Sequence, residues 1–279
     1  MLRMKLHKDP LYYKIRLKSN LFFKDQNILS TATDYTWLYQ IIEQVSYNRW
    51  LVSLDVIAEE QSPQVALQNT NDFLKMTNKA LEGLRLLLDE YGCIVEVENK
   101  KEVLEKWNAL KEAYCACKSV ISDEEHAVLK KCDVDFRDLK STLINSLHYF
   151  IFFAQVYEVH PDNTVGRNLT FPSVVNSGAM LYNYVKQKIA FSEGMWVIKQ
   201  YCRHRDYGNI NLKKKYKKEL MKFLTAPFEY HFHYDVCSMY NPKSCLLENV
   251  KATIVEQASA EYRYNMDMEI SLMTKEEVL

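Results

Sequence analysis

The segment Tyr230-His-Phe-His-Tyr-Asp-Val-Cys237 holds the densest group of chemically competent side chains in this 279-residue chain. Side chains two apart on a strand share a face, which places His231, His233, Asp235 and Cys237 together and Phe232, Tyr234 and Val236 opposite them. Imidazole, carboxylate and thiolate all bind transition metals, so His231, His233 and Asp235 form a candidate metal or acid–base site. A flat strand comfortably delivers two ligands to one ion, and the remaining ligands have to come from a neighbouring strand. The other reading of the same pattern is the solvated face of an amphipathic strand.

A second feature is electrostatic. The chain carries 36 Lys and Arg against 36 Asp and Glu, but the balance is a cancellation. Between Lys199 and Lys222 nine basic residues stand against Asp206 and Glu219, a net +7, which leaves −7 for the remainder. Tyr201, Tyr207 and Tyr216 are interleaved with these charges. Arg203, Arg205, Lys213, Lys214, Lys215, Lys217 and Lys218 are therefore candidate partner-binding residues. Such a segment can dock another protein with an acidic surface, or grip phosphates while its tyrosines stack on bases. A solvated basic helix face is the plainer alternative.

Other chemistry is weakly encoded. The seven cysteines, at 93, 115, 117, 132, 202, 237 and 245, are irregularly spaced. Cys115-Ala-Cys117 is not a C-x-x-C motif, and on a helix residues two apart point away from each other. Cys132, or Cys202 with His204, lacks the local signature of a nucleophile. No G-x-G-x-x-G, G-x-x-x-x-G-K-[ST], H-E-x-x-H or G-x-S-x-G motif is present, and Asn176-Ser-Gly-Ala179 is the nearest approach to an anion-binding loop. No cofactor is implied, and with 6 Gly and 6 Pro the loops that usually carry catalysis are scarce. The sequence leans away from an enzyme.

These groups have to be positioned by regular elements. Tyr13, Ile15 and Leu17 alternate with Lys14, Arg16 and Lys18 as in a half-buried strand. Trp37, Leu38, Ile41, Ile42 and Val45 have helical spacing behind an Asp34 cap, and Arg49–Ile57 reads as a covered strand. Ser62-Pro63 opens a helix. The stretch beyond it has two readings: one helix to Tyr91, or a hairpin of Leu84–Leu88 with Cys93–Glu98 about the Asp89-Glu-Tyr-Gly92 turn, which the turn residues favour. Capping patterns at Asn99/Glu102 and Ser122/Glu125 open helices near 100–118 and 123–131. A further helix is expected near 136–158. Within it, Ser141 to Tyr157 contains no charged residue, but it is shorter than the ~20 apolar residues of a membrane span and includes Asn145, His148 and Gln155. It suits the central helix of a core. Helices are expected again at 175–203 and 211–224. Three strands, near 228–237, 250–257 and 261–272, close the chain as an antiparallel meander; Glu261–Leu272 alternates throughout.

The pattern predicts an α+β fold with N-terminal strands, a central helical body and a C-terminal antiparallel β-meander packed on helices. His160–Gly166 marks the best boundary, between 1–160 and 161–279, unless residues 1–279 form a single domain. With neither a secretory signal at the N-terminus nor a transmembrane segment, and with unpaired thiols, a cytoplasmic location is expected. The expected function is a non-catalytic intracellular interaction protein: an adaptor, a chaperone-like protein or a neutralising partner. The alternatives are nucleic-acid binding through 199–222 and a metal-dependent enzyme built on His231, His233 and Asp235.

Overall fold

A computed structural model describes residues 1–7, 9–61, 68–160, 164–172, 180–205 and 210–278. The chain opens with three long strands, β1 (Leu11–Phe23), β2 (Gln26–Ser46) and β3 (Arg49–Gln61), followed by α1 (Gln68–Ala80) and a hairpin of β4 (Leu84–Asp89) and β5 (Ile94–Val97). Four helices follow: α2 (Lys100–Ala116), α3 (Asp123–Arg137), α4 (Leu139–Asn145) and α5 (Leu147–Phe152). Strands β6 (Thr164–Pro172), β7 (Met180–Ser192) and β8 (Met195–Arg205) lead to α6 (Ile210–Lys215) and a π-helical turn at Tyr216–Leu220. Strands β9 (His231–Tyr240), β10 (Leu247–Ser259) and β11 (Tyr262–Leu272) precede the short α7 (Lys275–Val278).

All eleven strands form one antiparallel sheet in the order β5-β4-β3-β2-β1-β11-β10-β9-β8-β7-β6. The first and last thirds of the chain meet at its centre, where β1 lies between β2 and β11 and Tyr13 faces both Trp37 and Leu272. This corrects the expected α+β chain with a central helical body. Strand accounts for 48% of the chain and helix for 27%, with small helices mostly on one side of the sheet.

Two stretches account for most of the difference. Residues 34–45 show helical spacing, but Trp37, Tyr39 and Ile41 are the buried positions and they alternate; aromatic and β-branched residues suit the pleated surface of β2. In β7 and β8, expected to be helical, the buried positions are Val185, Gln187 and Ile189, and Ile198, Gln200 and Cys202. Two glutamines on the buried face hide the apolar alternation. Gln200 donates to Gln187 at 2.7 Å, Tyr234 donates to Gln200 at 3.1 Å, and Gln187 donates to the Gln155 carbonyl, so the buried amides are paired. Asn99 makes no side-chain cap at the start of α2, and the helix expected at 211–224 is a short α-helix followed by a π-helical turn; other expectations fare better. The 84–98 hairpin forms, Ser122 and Glu125 make a complete capping box, and the C-terminal meander is present with slightly longer strands. The Ser62-Pro63 helix start and Asn176–Ala179 lie outside the described residues.

The uncharged segment fills the buried face of the sheet, as two short helices and an irregular tail rather than one helix. Leu147, Tyr149, Phe150, Ile151, Phe152, Phe153, Ala154 and Val156 are all buried. The Phe152 ring sits 4.9 Å from Tyr13, 5.4 Å from Trp37 and 5.5 Å from Tyr39, and Phe150 meets Tyr234 on the far side. Because the helices end early, carbonyls here need partners from outside the segment. Arg167 of β6 donates to Phe153 O at 2.7 Å and Phe150 O at 3.1 Å, with its guanidinium 4.1 Å from the Phe150 ring. The amides of Val156 and Tyr157 donate to Tyr91 O, and that of Glu158 to Leu2 O.

Phe152→Ala removes the ring shared by three strand aromatics and leaves a void that the sheet cannot collapse into. The expected loss is about 3–5 kcal/mol, read from the denaturation midpoint.

Candidate functional site

The antiparallel register turns alternation along each strand into rows across the sheet. On β9, Phe232, Tyr234, Val236 and Tyr240 are buried against the helices, so His231, His233, Asp235 and Cys237 lie on the outer face. Across the neighbouring strands His233 faces Arg203 and Val255, Asp235 faces Tyr201 and Thr253, and Cys237 faces Lys199 and Lys251. His231 Nε2 is 3.1 Å from Glu229 Oε1, and His233 Nε2 is 3.8 Å from Asp235 Oδ2. Among the described residues no group of three or more His, Cys, Asp and Glu side chains converges as a metal site requires.

The basic segment is divided between elements. Arg203 and Arg205 belong to β8, at register positions opposite His233 and His231. Lys213, Lys214 and Lys215 belong to α6, and Lys217 and Lys218 to the π-helical turn. Tyr216 anchors that turn: its ring is buried, and its hydroxyl donates to Ala226 O at 2.8 Å. Lys213, Lys214, Lys217 and Lys218 are left in solvent, while half-buried Lys215 reaches Glu219 at 4.0 Å.

The β8 residues acquire neighbours that sequence reasoning placed on a helix. Lys188 of β7 lies directly opposite Lys199, and Lys186 lies opposite Tyr201. All three lysines are exposed, and among the described residues none has an acidic partner. Tyr184 and Tyr201 flank them at 58% and 39% exposure. The Tyr184 ring lies over Gly166 of the edge strand β6, where an added Cβ would come within 2.2 Å of it. A glycine at that point gives the tyrosine its seat on the outer face. Signals for this arrangement were present in the sequence: Ser192-Glu-Gly194 between two β-prone runs is a hairpin turn, and the hairpin fixes Lys188 against Lys199.

Like charges directly opposite one another destabilise a sheet by about 0.2–1 kcal/mol. On β1 of the same outer face two cations have an acidic partner. Lys14 and Arg16 lie 3.7 and 3.6 Å from Asp34 Oδ2, and Arg16 also faces Glu269. The β7–β8 lysines therefore form an uncompensated positive surface with two exposed tyrosines, the composition that suits electrostatic docking.

On the opposite face, a cavity of about 250 Å³ lies between β2–β3 and the helices. His148 borders it, together with Tyr35, Cys132, Asp135 and Tyr149. Burial pushes the His148 pKa down to about 4, raises that of Asp135, and raises Tyr35 to about 12 with help from Glu59. Of this wall the sequence raised only Cys132 as a conceivable nucleophile, without a supporting signature, and it shows His148 only as a polar residue in an apolar run.

No protein-family model and no curated protein matches the chain. A solved structure described as lipid–protein interactions in lipovitellin superposes with a TM-score of 0.45 at 8% identity, over 95% of this chain and 25% of that one. The chain thus spans about a quarter of the matched structure's length. No described helix is long and apolar enough to cross a membrane.

Two outcomes are expected. Lys188→Glu places opposite charges across β7 and β8 and raises stability by about 0.2–1 kcal/mol, measured by denaturation at low ionic strength. His148 has an ordinary pKa of 6.5 and a folded value of about 4, so between those pH values the unfolded chain takes up a proton that the folded chain refuses. Its contribution lowers stability as pH falls through that window, with no further loss below it. His148→Phe removes this part of the pH dependence.

Proposed function

We propose that the protein is a non-catalytic interaction protein that docks an acidic surface of a protein partner on the outer face of β7 and β8. The observation that carries this reading is the direct opposition of Lys188 and Lys199, with Lys186 beside them and no acidic partner among the described residues. A like-charge pair in register weakens the sheet, so its presence is better explained by what it attracts than by folding. Tyr184 and Tyr201 supply amphipathic contact area beside the charge, as interface tyrosines do. The seven cysteines are all free thiols, which supports a reducing, cytoplasmic setting.

The rival readings use the same surroundings. Nucleic acid would use the lysines on phosphates and the tyrosines for stacking. A metal-dependent enzyme would use His231, His233 and Asp235.

The test compares an acidic peptide of alternating Glu and Tyr with a single-stranded oligonucleotide, both titrated at low and at moderate salt. The peptide is expected to bind and to weaken with salt. Lys186→Glu, Lys188→Glu and Lys199→Glu combined should lower its affinity at least tenfold while the protein stays folded. Oligonucleotide binding without peptide binding overturns the protein-partner reading in favour of nucleic acid. If neither binds at low salt, docking through this face is wrong.

A further inference from the structure

The cavity behind β2 and β3 has a size, a wall and a weakly bonded polar group that together define a ligand. Its volume of about 250 Å³ exceeds the ~150 Å³ apolar cavity that takes up benzene, so a body of roughly ten heavy atoms fits. Trp37 and Val56 of the sheet form one side, and Phe136, Leu139 and Leu143 of α3 and α4 the other. The apolar part of the wall is therefore aromatic and aliphatic from both layers.

His148 is the exception in that wall. Its ring packs 5.5 Å from Trp37 and 4.8 Å from Tyr149, which fixes it at the cavity edge. A neutral imidazole carries one donor and one acceptor nitrogen. The only side-chain oxygen near it among the described residues is Ser146 Oγ, 3.5 Å from Nδ1 and 3.4 Å from Nε2. Both separations exceed the usual 2.7–3.2 Å range. An oxygen nearly equidistant from the two nitrogens sits off the in-plane direction of each, so it forms a good bond with neither. The ring is only partly buried and its contacts to Ser146 are long, so the cavity beside it is where a closer partner can be placed.

We propose that this cavity is a binding site for a small uncharged aromatic alcohol, with the hydroxyl on the His148 imidazole and the ring body between Trp37 and Leu143. A hydroxyl both donates and accepts, so it matches either tautomer of the ring. An anionic head is disfavoured, because the half-buried Asp135 carboxyl also faces the cavity. The site is separate from the lysine face on the other side of the sheet and does not depend on it.

2-Naphthol is the probe, compared with naphthalene, which lacks the hydroxyl, and 2-naphthoate, which carries a charge. Binding is followed by calorimetry and by the imidazole ¹⁵N shifts of histidine-labelled full-length protein. The expected order of affinity is 2-naphthol, then naphthalene, then 2-naphthoate, with 2-naphthol moving the His148 resonances. His148→Phe should weaken 2-naphthol five- to tenfold, as expected for one hydrogen bond, and leave naphthalene unchanged. Leu143→Trp, which fills the space, should abolish binding of both. The proposal is overturned if 2-naphthol fails to bind the unmodified protein up to its solubility limit. It is equally overturned if the ligand binds without moving the His148 resonances, a readout that stands even where the tryptophan variant does not fold.

Discussion

The seating of one uncharged segment against one face of the sheet is the constraint on which the rest of the structure depends. Residues 147–156 are apolar nearly all round, so they need cover on every side. An eleven-stranded sheet with helices packed on the same face supplies it. The strands from opposite ends of the chain contribute different parts of that cover: Tyr13, Trp37 and Tyr39 surround Phe152, and Tyr234 meets Phe150. The broken helix leaves carbonyls exposed to a low-dielectric interior, and Arg167 and Gln187 satisfy three of them from β6 and β7. Polar residues on the buried face are thus the counterpart of irregular backbone in the segment they cover.

This arrangement assigns different physics to the two faces of the sheet. The buried face is aromatic, its tyrosines hold their protons well above the ordinary range because burial penalises phenolate, and His148 is held neutral for the same reason. The outer face is free to carry charge in rows set by the strand register. Where β1 and β2 cross it the charges are paired; where β7 and β8 cross it they are not. The segregation lets an interaction surface vary without disturbing the core, since Lys186, Lys188 and Lys199 touch none of the buried residues' hydrogen bonds.

Much of this was legible where each residue's local pattern agreed with its final environment. Glu261–Leu272 alternates cleanly because its outer side is wet and its inner side dry, and β11 is found there. The Asp89-Glu-Tyr-Gly92 turn encodes its hairpin through Gly92, whose φ of +89° suits glycine. The reading failed where pattern and environment diverged. Buried Gln187 and Gln200 disguise two strands because their partners, Gln155 and Tyr234, are distant in sequence. Scarce glycine suggested few tight turns, yet β1 and β2 are joined through Lys24 and Asp25, both at positive φ, a two-residue hairpin made without glycine. The lysine face was invisible for a related reason. Lys188 and Lys199 become a pair only once β7 and β8 are strands. The cavity around His148 needs six elements to define it, and no local window contains them.

Native-state hydrogen exchange tests most directly whether the sheet depends on the segment it covers. The account predicts that the amides of Phe150 and Phe153 share the highest protection with those of β1, β2 and β9, all exchanging only through global unfolding. Exchange of the Phe150 and Phe153 amides by local opening, while the strands stay protected, would contradict it.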